Sequence, residues 1–270
     1  MTILVVASYL DKAALNIADK LIKRHNFVET EEVFDGKLVY KCQDVLLTFP
    51  NSECIHANKL DQQFKIDEII FASRHKSETG QPTLTVHVPG NLTDQALYGG
   101  HPREIAWANP QRMKAALLTL AHLGKKLNLD YSISLEVTHH GPTEMSVPIT
   151  FMEIGSSEAQ WIDPKAGEAV AEAIWTAITS PSKSPSAVGF GAGHYAPSHT
   201  RVTLEQDLAV GHIMSKYALE KMDAEMVRMC FQKTWGGCKH AVIDWKGTRG
   251  QPRRMVLEIL EEMDIEVLRV

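Results

Sequence analysis

Five short, mostly apolar runs, at residues 2–7, 68–72, 147–155, 187–190 and 241–245, are separated by stretches whose apolar residues recur at helical spacing. A run without a polar face belongs to a strand covered on both sides, and the helical stretches supply the cover. Ala14, Ile17, Ala18, Leu21 and Ile22 form one such stripe after Asp11. Met113, Leu117, Leu118, Leu120, Ala121 and Leu123 form another behind an Asn109-Pro110 start signal, with Gly124 as the expected stop. Ala166, Val170, Ala173, Ile174 and Ile178 form a third behind Asp163-Pro164. Further helices are expected around residues 217–231 and 254–263, and a last strand at 265–268. Asp35-Gly36 between short alternating runs signals a hairpin, a small antiparallel excursion. The expectation is an α/β fold, a single three-layer domain over residues 1–270 around a central mixed sheet. The first strand-to-helix loop lacks glycine, so a dinucleotide fingerprint is absent and a P-loop is excluded.

Composition narrows the class. At 270 residues, 44% hydrophobic and 23% charged, the chain can bury a full core and is not of disordered composition. Its four cysteines are scattered without a CxxC pair, which argues against a zinc ribbon or a disulfide framework and fits a reducing cytoplasm. No stretch is apolar enough to span a bilayer, so no membrane role is expected. With a net charge of −5, a nucleic-acid partner has to be held by a local basic patch. The segment from Lys233 to Arg254 is the candidate. It carries Lys233, Lys239, Lys246, Arg249, Arg253 and Arg254 against one acid, Asp244, although such a run is also what a solvated face looks like.

Twelve histidines carry the chemistry, several of them in turns beside Gly and Pro. Glu136-Val137-Thr138-His139-His140-Gly141-Pro142-Thr143-Glu144 sets two imidazoles between two carboxylates where an apolar run ends. Such a set can bind metal or move protons near neutral pH; the plainer reading is a polar strand-end turn. If the extended chain continues, His139 and His140 point to opposite sides, and His140 shares a face with Glu136. A second segment, Gly191-Ala192-Gly193-His194-Tyr195-Ala196-Pro197-Ser198-His199, places two histidines five apart in a turn that can wrap a centre. Gly191 and Gly193 allow backbone amides to approach an oxyanion or phosphate. Arg74 and His75 end one buried strand, and strand ends are where open α/β sheets hold ligands. His87 shares a strand face with Thr83 and Thr85, just before Asn91.

Taken together in order, Ser73-Arg74-His75, Thr85-Val86-His87 with Gly90-Asn91, Glu136 to Pro142, Gly191 to Pro197, His199-Thr200 and Gly211-His212 resemble the archaeal and plant type of D-aminoacyl-tRNA deacylase. The resemblance implies hydrolysis of the ester between a D-amino acid and tRNA, a proofreading role, zinc as cofactor, and a fold similar to peptidyl-tRNA hydrolases and purine nucleoside phosphorylases. On this reading Glu136, His139, His140, Glu144, His194, Tyr195 and His199 are the catalytic candidates, with His140, His194 and His199 the metal ligands. Arg74, His75, His87, Asn91, Gly191, Gly193, Lys233, Lys246, Arg249, Arg253 and Arg254 are the candidates for substrate binding. No HExxH pair supports the zinc independently, and a metal-free site in which His and Glu position water, with the substrate's own ribose hydroxyl assisting, is fully compatible with the residues. The alternatives are a phosphorylase or amidohydrolase in which Arg74 and the glycine turn bind an anion, and a tRNA-binding protein without activity. No stable protein partner is expected, and the chain is read as a monomer or small homo-oligomer.

Overall fold

The computed structural model describes residues 1–270. Strand β1 (Ile3–Ala7) leads into helix α1 (Lys12–His25), followed by β2 (Val28–Phe34), β3 (Lys37–Cys42), β4 (Val45–Thr48), α2 (Leu60–Gln63) and β5 (Glu68–Lys76). Then come β6 (Thr83–His87), the short β7 (Gly90–Asn91) and β8 (Glu104–Ile105), α3 (Pro110–Lys126), β9 (Ser132–Leu135), β10 (Ile149–Ser156), α4 (Glu158–Trp161) and α5 (Pro164–Thr179). The remainder is β11 (Ser186–Ala192), α6 (Pro197–Glu205), β12 (Ala209–Ser215), α7 (Lys216–Leu219), α8 (Ala224–Gln232), β13 (His240–Ile243), α9 (Gly250–Glu262) and β14 (Glu266–Arg269). None of these helices is long and apolar enough to cross a membrane.

The strands make two principal sheets where the sequence suggested one. The larger is mixed, in the order β2-β3-β4-β1-β5-β10-β6-β9; the smaller is parallel, in the order β12-β11-β13-β14. In the larger sheet β1, β4, β5 and β10 run parallel, and β6 is antiparallel to β10. The Asp35-Gly36 hairpin joins β2 to β3, with φ of 50° and 76° at the two turn residues. Helices α1, α5 and α3 pack side by side, and α3 also touches β12 of the smaller sheet.

Burial explains why the apolar runs became central strands. Leu4, Val5, Ile69, Ile70, Phe71, Phe151 and Met152 are wholly buried in one large apolar cluster that includes the inner faces of α1, α3 and α5. A second cluster, with Val188, Phe190, Met214, Met226, Val227, Phe231, Val256 and Leu260, packs α8 and α9 on the smaller sheet. Three helix boundaries differ from the sequence expectation, each for a local reason. Gly124 does not stop α3; a Cβ there would come within 2.7 Å of Ile133 Cδ1, so the glycine serves close helix–sheet packing. The helix expected at 217–231 is two, because Asp223 turns extended and its side chain accepts from the Met226 amide to start α8. Helix α9 begins at Gly250 because Pro252 lies in the first turn, where its missing N–H costs nothing.

Candidate active site

Strand register gathers the polar residues. Phe151 pairs with Phe71 and His87, Glu153 with Ser73 and Thr85, and Gly155 with His75 and Thr83. Paired residues share a sheet face, so His75, Glu153 and His87 stand on one face across β5, β10 and β6. Phe71, Phe151 and His87 form its floor, with ring centroids 4.6 Å and 5.2 Å apart in turn. Gly155 makes room, since a Cβ there would lie 2.9 Å from His75 Cδ2. The buried Glu153 carboxylate reaches His75 Nδ1 at 3.6 Å and His87 Nε2 at 3.5 Å.

The neighbouring strand then leaves the sheet. The Glu136 amide donates to the Val86 carbonyl, at 3.2 Å, which keeps Glu136 in line with His87. Beyond it, Val137 and Thr138 donate to His194 and Ile213 carbonyls, so the chain crosses to the smaller sheet. His140 takes φ 48°, in the left-handed region, and strand alternation ends there. The expectation that His139 and His140 face opposite ways is therefore corrected. Their rings are 4.4 Å apart, and His87, His139 and His140 offer ligand atoms within 4.8 Å of one another. Nδ1 of His139 donates to the Val137 carbonyl at 2.8 Å and Nδ1 of His140 to the Gly141 carbonyl at 2.6 Å. A carbonyl only accepts, so Nδ1 carries the proton and Nε2 keeps its lone pair in both rings.

Glu136 is the hub. Its carboxylate lies 3.2 Å from His75 Nδ1, 3.3 Å from His194 Nε2 and 3.6 Å from His139 Nε2. It is this His139 contact, in place of the expected one with His140, that the structure contains. Tyr195 sits outside His75, its hydroxyl 3.1 Å from Nε2. Burial works against the charge on Glu136, but the contact with His194 and the fields of His87 and His139 bring its pKa down to about 2. Glu153 is also lowered, against the cost of burial, by His75 and His87. Burial likewise opposes protonation of His75 and His87, yet Glu153 and Glu136 raise both. Burial and then neighbouring imidazoles push His139 well down, and burial with His87 takes His140 to about 4, so these two are neutral at pH 7.

The cluster opens into a cleft of about 820 Å³ lined also by Asp11, Glu53, Ser73, Arg74, Lys76 and Tyr98. Asp11 is consumed structurally, accepting from the amides of Ala13, Ala14 and Arg74. Arg74 donates to Glu53 at 2.5 Å and to the Leu10 carbonyl, whereas Lys76 is exposed with no acid within ion-pair distance.

Several candidate residues stand elsewhere. His199 is wholly buried in the first turn of α6, accepting from the Phe190 amide at 3.1 Å beside the Val242 carbonyl; Pro197 starts a helix there, so no loop wraps both histidines around a centre. Glu144 accepts from the Thr143 amide and faces His101, outside the cleft lining. Asn91 donates to the carbonyls of Gly99 and His101 and so shapes a loop. Gly191, at φ 95°, abuts the Thr248 side chain, leaving no open cradle at its α-carbon, and a Cβ at Gly193 would meet the Tyr195 carbonyl oxygen at 3.6 Å. Lys233 donates to the Ile105 carbonyl. Arg253 is tied to the Thr248 and Trp245 carbonyls and lies 3.8 Å over the Trp245 ring, while Lys246, Arg249 and Arg254 are exposed. Glu153 was missed, although a lone carboxylate inside the apolar run Ile149–Ser156 is a readable signal.

The donor set fits a metal. Neither oxygen of Glu136 nor either nitrogen of His87 has a hydrogen-bond partner, though all four atoms are buried. A lone pair of His139 and a carboxylate oxygen of Glu136 face each other with no proton required between them, an arrangement a cation relieves. His75, Glu136 and His194 offer a second set of donors, and His87, Glu136 and Glu153 a third.

Known proteins resemble the chain over most of its length. A family model described as D-aminoacyl-tRNA deacylase matches residues 62–268. Proteins named D-aminoacyl-tRNA deacylase from Pyrococcus furiosus and Pyrococcus horikoshii are 39% and 41% identical, each alignment covering 98% of both chains. The protein of that name from Methanosarcina acetivorans is 38% identical over 99% of this chain and 92% of its own. A crystal structure of a conserved protein of unknown function superposes with a TM-score of 0.92 at 35% identity, covering 99% of this chain and 95% of that one. A family model matched over residues 62–268 and relatives about 40% identical over nearly all of the chain show that it belongs to the D-aminoacyl-tRNA deacylase family.

Proposed function

We propose that this chain hydrolyses the ester joining a D-amino acid to the terminal ribose of tRNA, and that the reaction takes place over Glu136. The observation that carries the assignment is a buried carboxylate contacted by three imidazoles at the floor of an open cleft. Ester hydrolysis needs an activated water, stabilisation of the oxyanion and a proton for the leaving ribose oxygen. His139 and His140, neutral at pH 7 with Nε2 unprotonated, are suited to accept a proton from water or to hold a metal. His75, whose pKa Glu153 and Glu136 raise against the cost of burial and whose Nε2 meets the Tyr195 hydroxyl, is suited to donate one. His75, with its raised pKa, and the neighbouring His194 ring lie where a developing oxyanion could be met.

Zinc is the cofactor we assign, held by His87, His139 and His140. When bound, zinc lowers the pKa of its water to about 7, a hydroxide source at neutral pH. Glu153 then orients His87 from behind, as carboxylates do for ligating imidazoles. Exposed Lys76 at the cleft, and Lys246 and Arg254 farther off, are cations that can meet tRNA phosphates, as is exposed Arg249, whose Nε donates to the Lys246 carbonyl. Aminoacyl-tRNA is a cytoplasmic substrate, and we place the activity there. An anion-binding phosphorylase is less well supported, because Arg74 is committed to Glu53 and the Gly191 turn is closed by Thr248.

The test is hydrolysis of D- and L-aminoacyl-tRNA carrying the same amino acid, with and without chelator and added zinc. Faster release of the D-amino acid, lost on chelation and restored by zinc, is expected. Equal rates for the two enantiomers would overturn the deacylase reading.

A further inference from the structure

The loop between β7 and β8 is fixed by its backbone and yet presents two large apolar side chains to solvent. Asn91 Nδ2 donates to the Gly99 and His101 carbonyls, at 2.8 Å and 3.2 Å, and the His101 amide donates to Thr143 Oγ1 at 3.0 Å. Gly99 is pressed so closely on the chain that a Cβ would lie 2.0 Å from the Ile55 carbonyl oxygen. The Tyr98 carbonyl accepts from the Gly141 amide at 3.0 Å, directly after His140. Despite this anchoring, Leu97 and Tyr98 are 77% and 66% exposed. Nothing in the chain packs over them, so folding does not account for them.

Their position suggests what does. Tyr98 lines the same cleft as His139, His140 and His194, and Arg74, Lys76 and Ser77 line it too. In an aminoacyl ester the reacting carbonyl is attached directly to the ribose of the terminal nucleotide, so that nucleotide's base must lie within one sugar of the histidines. A base has a flat apolar face on each side, and aromatic side chains on a rigid support are the usual platform for an unpaired one. The amino acid, by contrast, has to be enclosed where the imidazoles are, and Tyr98 is at the solvent side of the cleft. We infer that Tyr98, flanked by Leu97, stacks on the terminal adenine of the tRNA substrate; the inference rests on the deacylase reading for the identity of the nucleotide.

The test is steady-state hydrolysis by Tyr98→Ala and Tyr98→Trp. Loss of one base stack is expected to raise KM about 10-fold in Tyr98→Ala, with kcat nearly unchanged, and equally for D-alanyl- and D-tyrosyl-tRNA. Tyr98→Trp keeps KM near wild type. The same loss is expected on a D-aminoacyl-adenosine ester and is absent on a D-amino acid methyl ester, which has no base. Unchanged KM, a loss that follows the amino acid's side chain, or an equal loss on the methyl ester would overturn the inference. Calorimetric binding of adenosine monophosphate, weakened in Tyr98→Ala, examines the platform without turnover; no difference there also overturns it. Failure of the wild-type protein to hydrolyse D-aminoacyl-tRNA sinks the deacylase reading instead, so the two failures are separable.

Discussion

Replacing Glu136 with glutamine removes a charge while keeping nearly the same shape. At 3.2 Å, and with an effective dielectric constant of about 20, one protonated imidazole attracts the carboxylate by about 5 kcal/mol. Burial takes part of such attraction back, and the contact with His194 together with the fields of His87 and His139 leaves the carboxyl pKa at about 2 against an ordinary 4.5. At about 1.4 kcal/mol per pH unit the difference is worth about 3 kcal/mol of stability. A depressed carboxylate stabilises the fold above its unfolded pKa, and the contribution disappears as pH falls through the folded one. In chelator-treated protein, urea unfolding should therefore show Glu136→Gln about 3 kcal/mol less stable than wild type from pH 7 to about 5. The gap should shrink to about 2 kcal/mol at pH 3.5, because glutamine resembles the protonated acid. A gap that is absent at pH 7, or as large at pH 3.5 as at 7, would refute the reasoning. Deacylation by the variant at pH 7 should drop at least a hundred-fold, since the hub of the imidazole cluster has lost its charge.

Three further outcomes follow from the same geometry. His199→Ala should cost about 2–4 kcal/mol in urea unfolding, as the buried Phe190 amide loses its acceptor, while the folded protein keeps its kcat; a selective loss of kcat would return His199 to the site. His139→Ala and His140→Ala should each reduce bound zinc, measured by elemental mass spectrometry, by ten-fold or more in apparent affinity, and undiminished zinc in both would remove the proposed triad. Arg254→Glu should raise KM for tRNA in a salt-dependent way without lowering the melting temperature, whereas Arg253→Glu should lower it, because Arg253 is bonded to two carbonyls and stacked on Trp245. A KM for Arg254→Glu equal to wild type across a salt series counts against a phosphate contact there.

Much of the architecture was legible because fully apolar runs such as Leu4 to Ala7 and Ile69 to Ala72 have few alternatives to a covered strand. The division into two sheets was not, since nothing local in β11 or β13 says which neighbour a strand will pair with. His75 and His87 could be read from strand ends and alternation, which depend only on extended geometry. The relation of His139 to His140 was misread for the same reason: alternation presumes an extended chain, and His140 at φ 48° leaves it. His199 looked like a partner of His194 because five residues can close a loop, yet Pro197 as the first residue of α6 turns that spacing into a helix facing the interior. Glu153 was overlooked because its hydrophobic surroundings mark it as strand. Its burial only becomes informative once His75 and His87 are known to flank it.

The bridge between Glu136 and Tyr195 joins the last strand of one sheet to the segment leaving the other. His75, His87 and Glu153 belong to the larger sheet, while His194 and Tyr195 arrive on the smaller, so the reacting centre exists only when the two halves are seated together. Turnover is thus a gauge of seating. Loosening the smaller sheet at a distance, for example at Met226 or Val256 in its own apolar cluster, would draw His194 and Tyr195 away from Glu136 and His75 and silence the enzyme while the larger sheet is still folded.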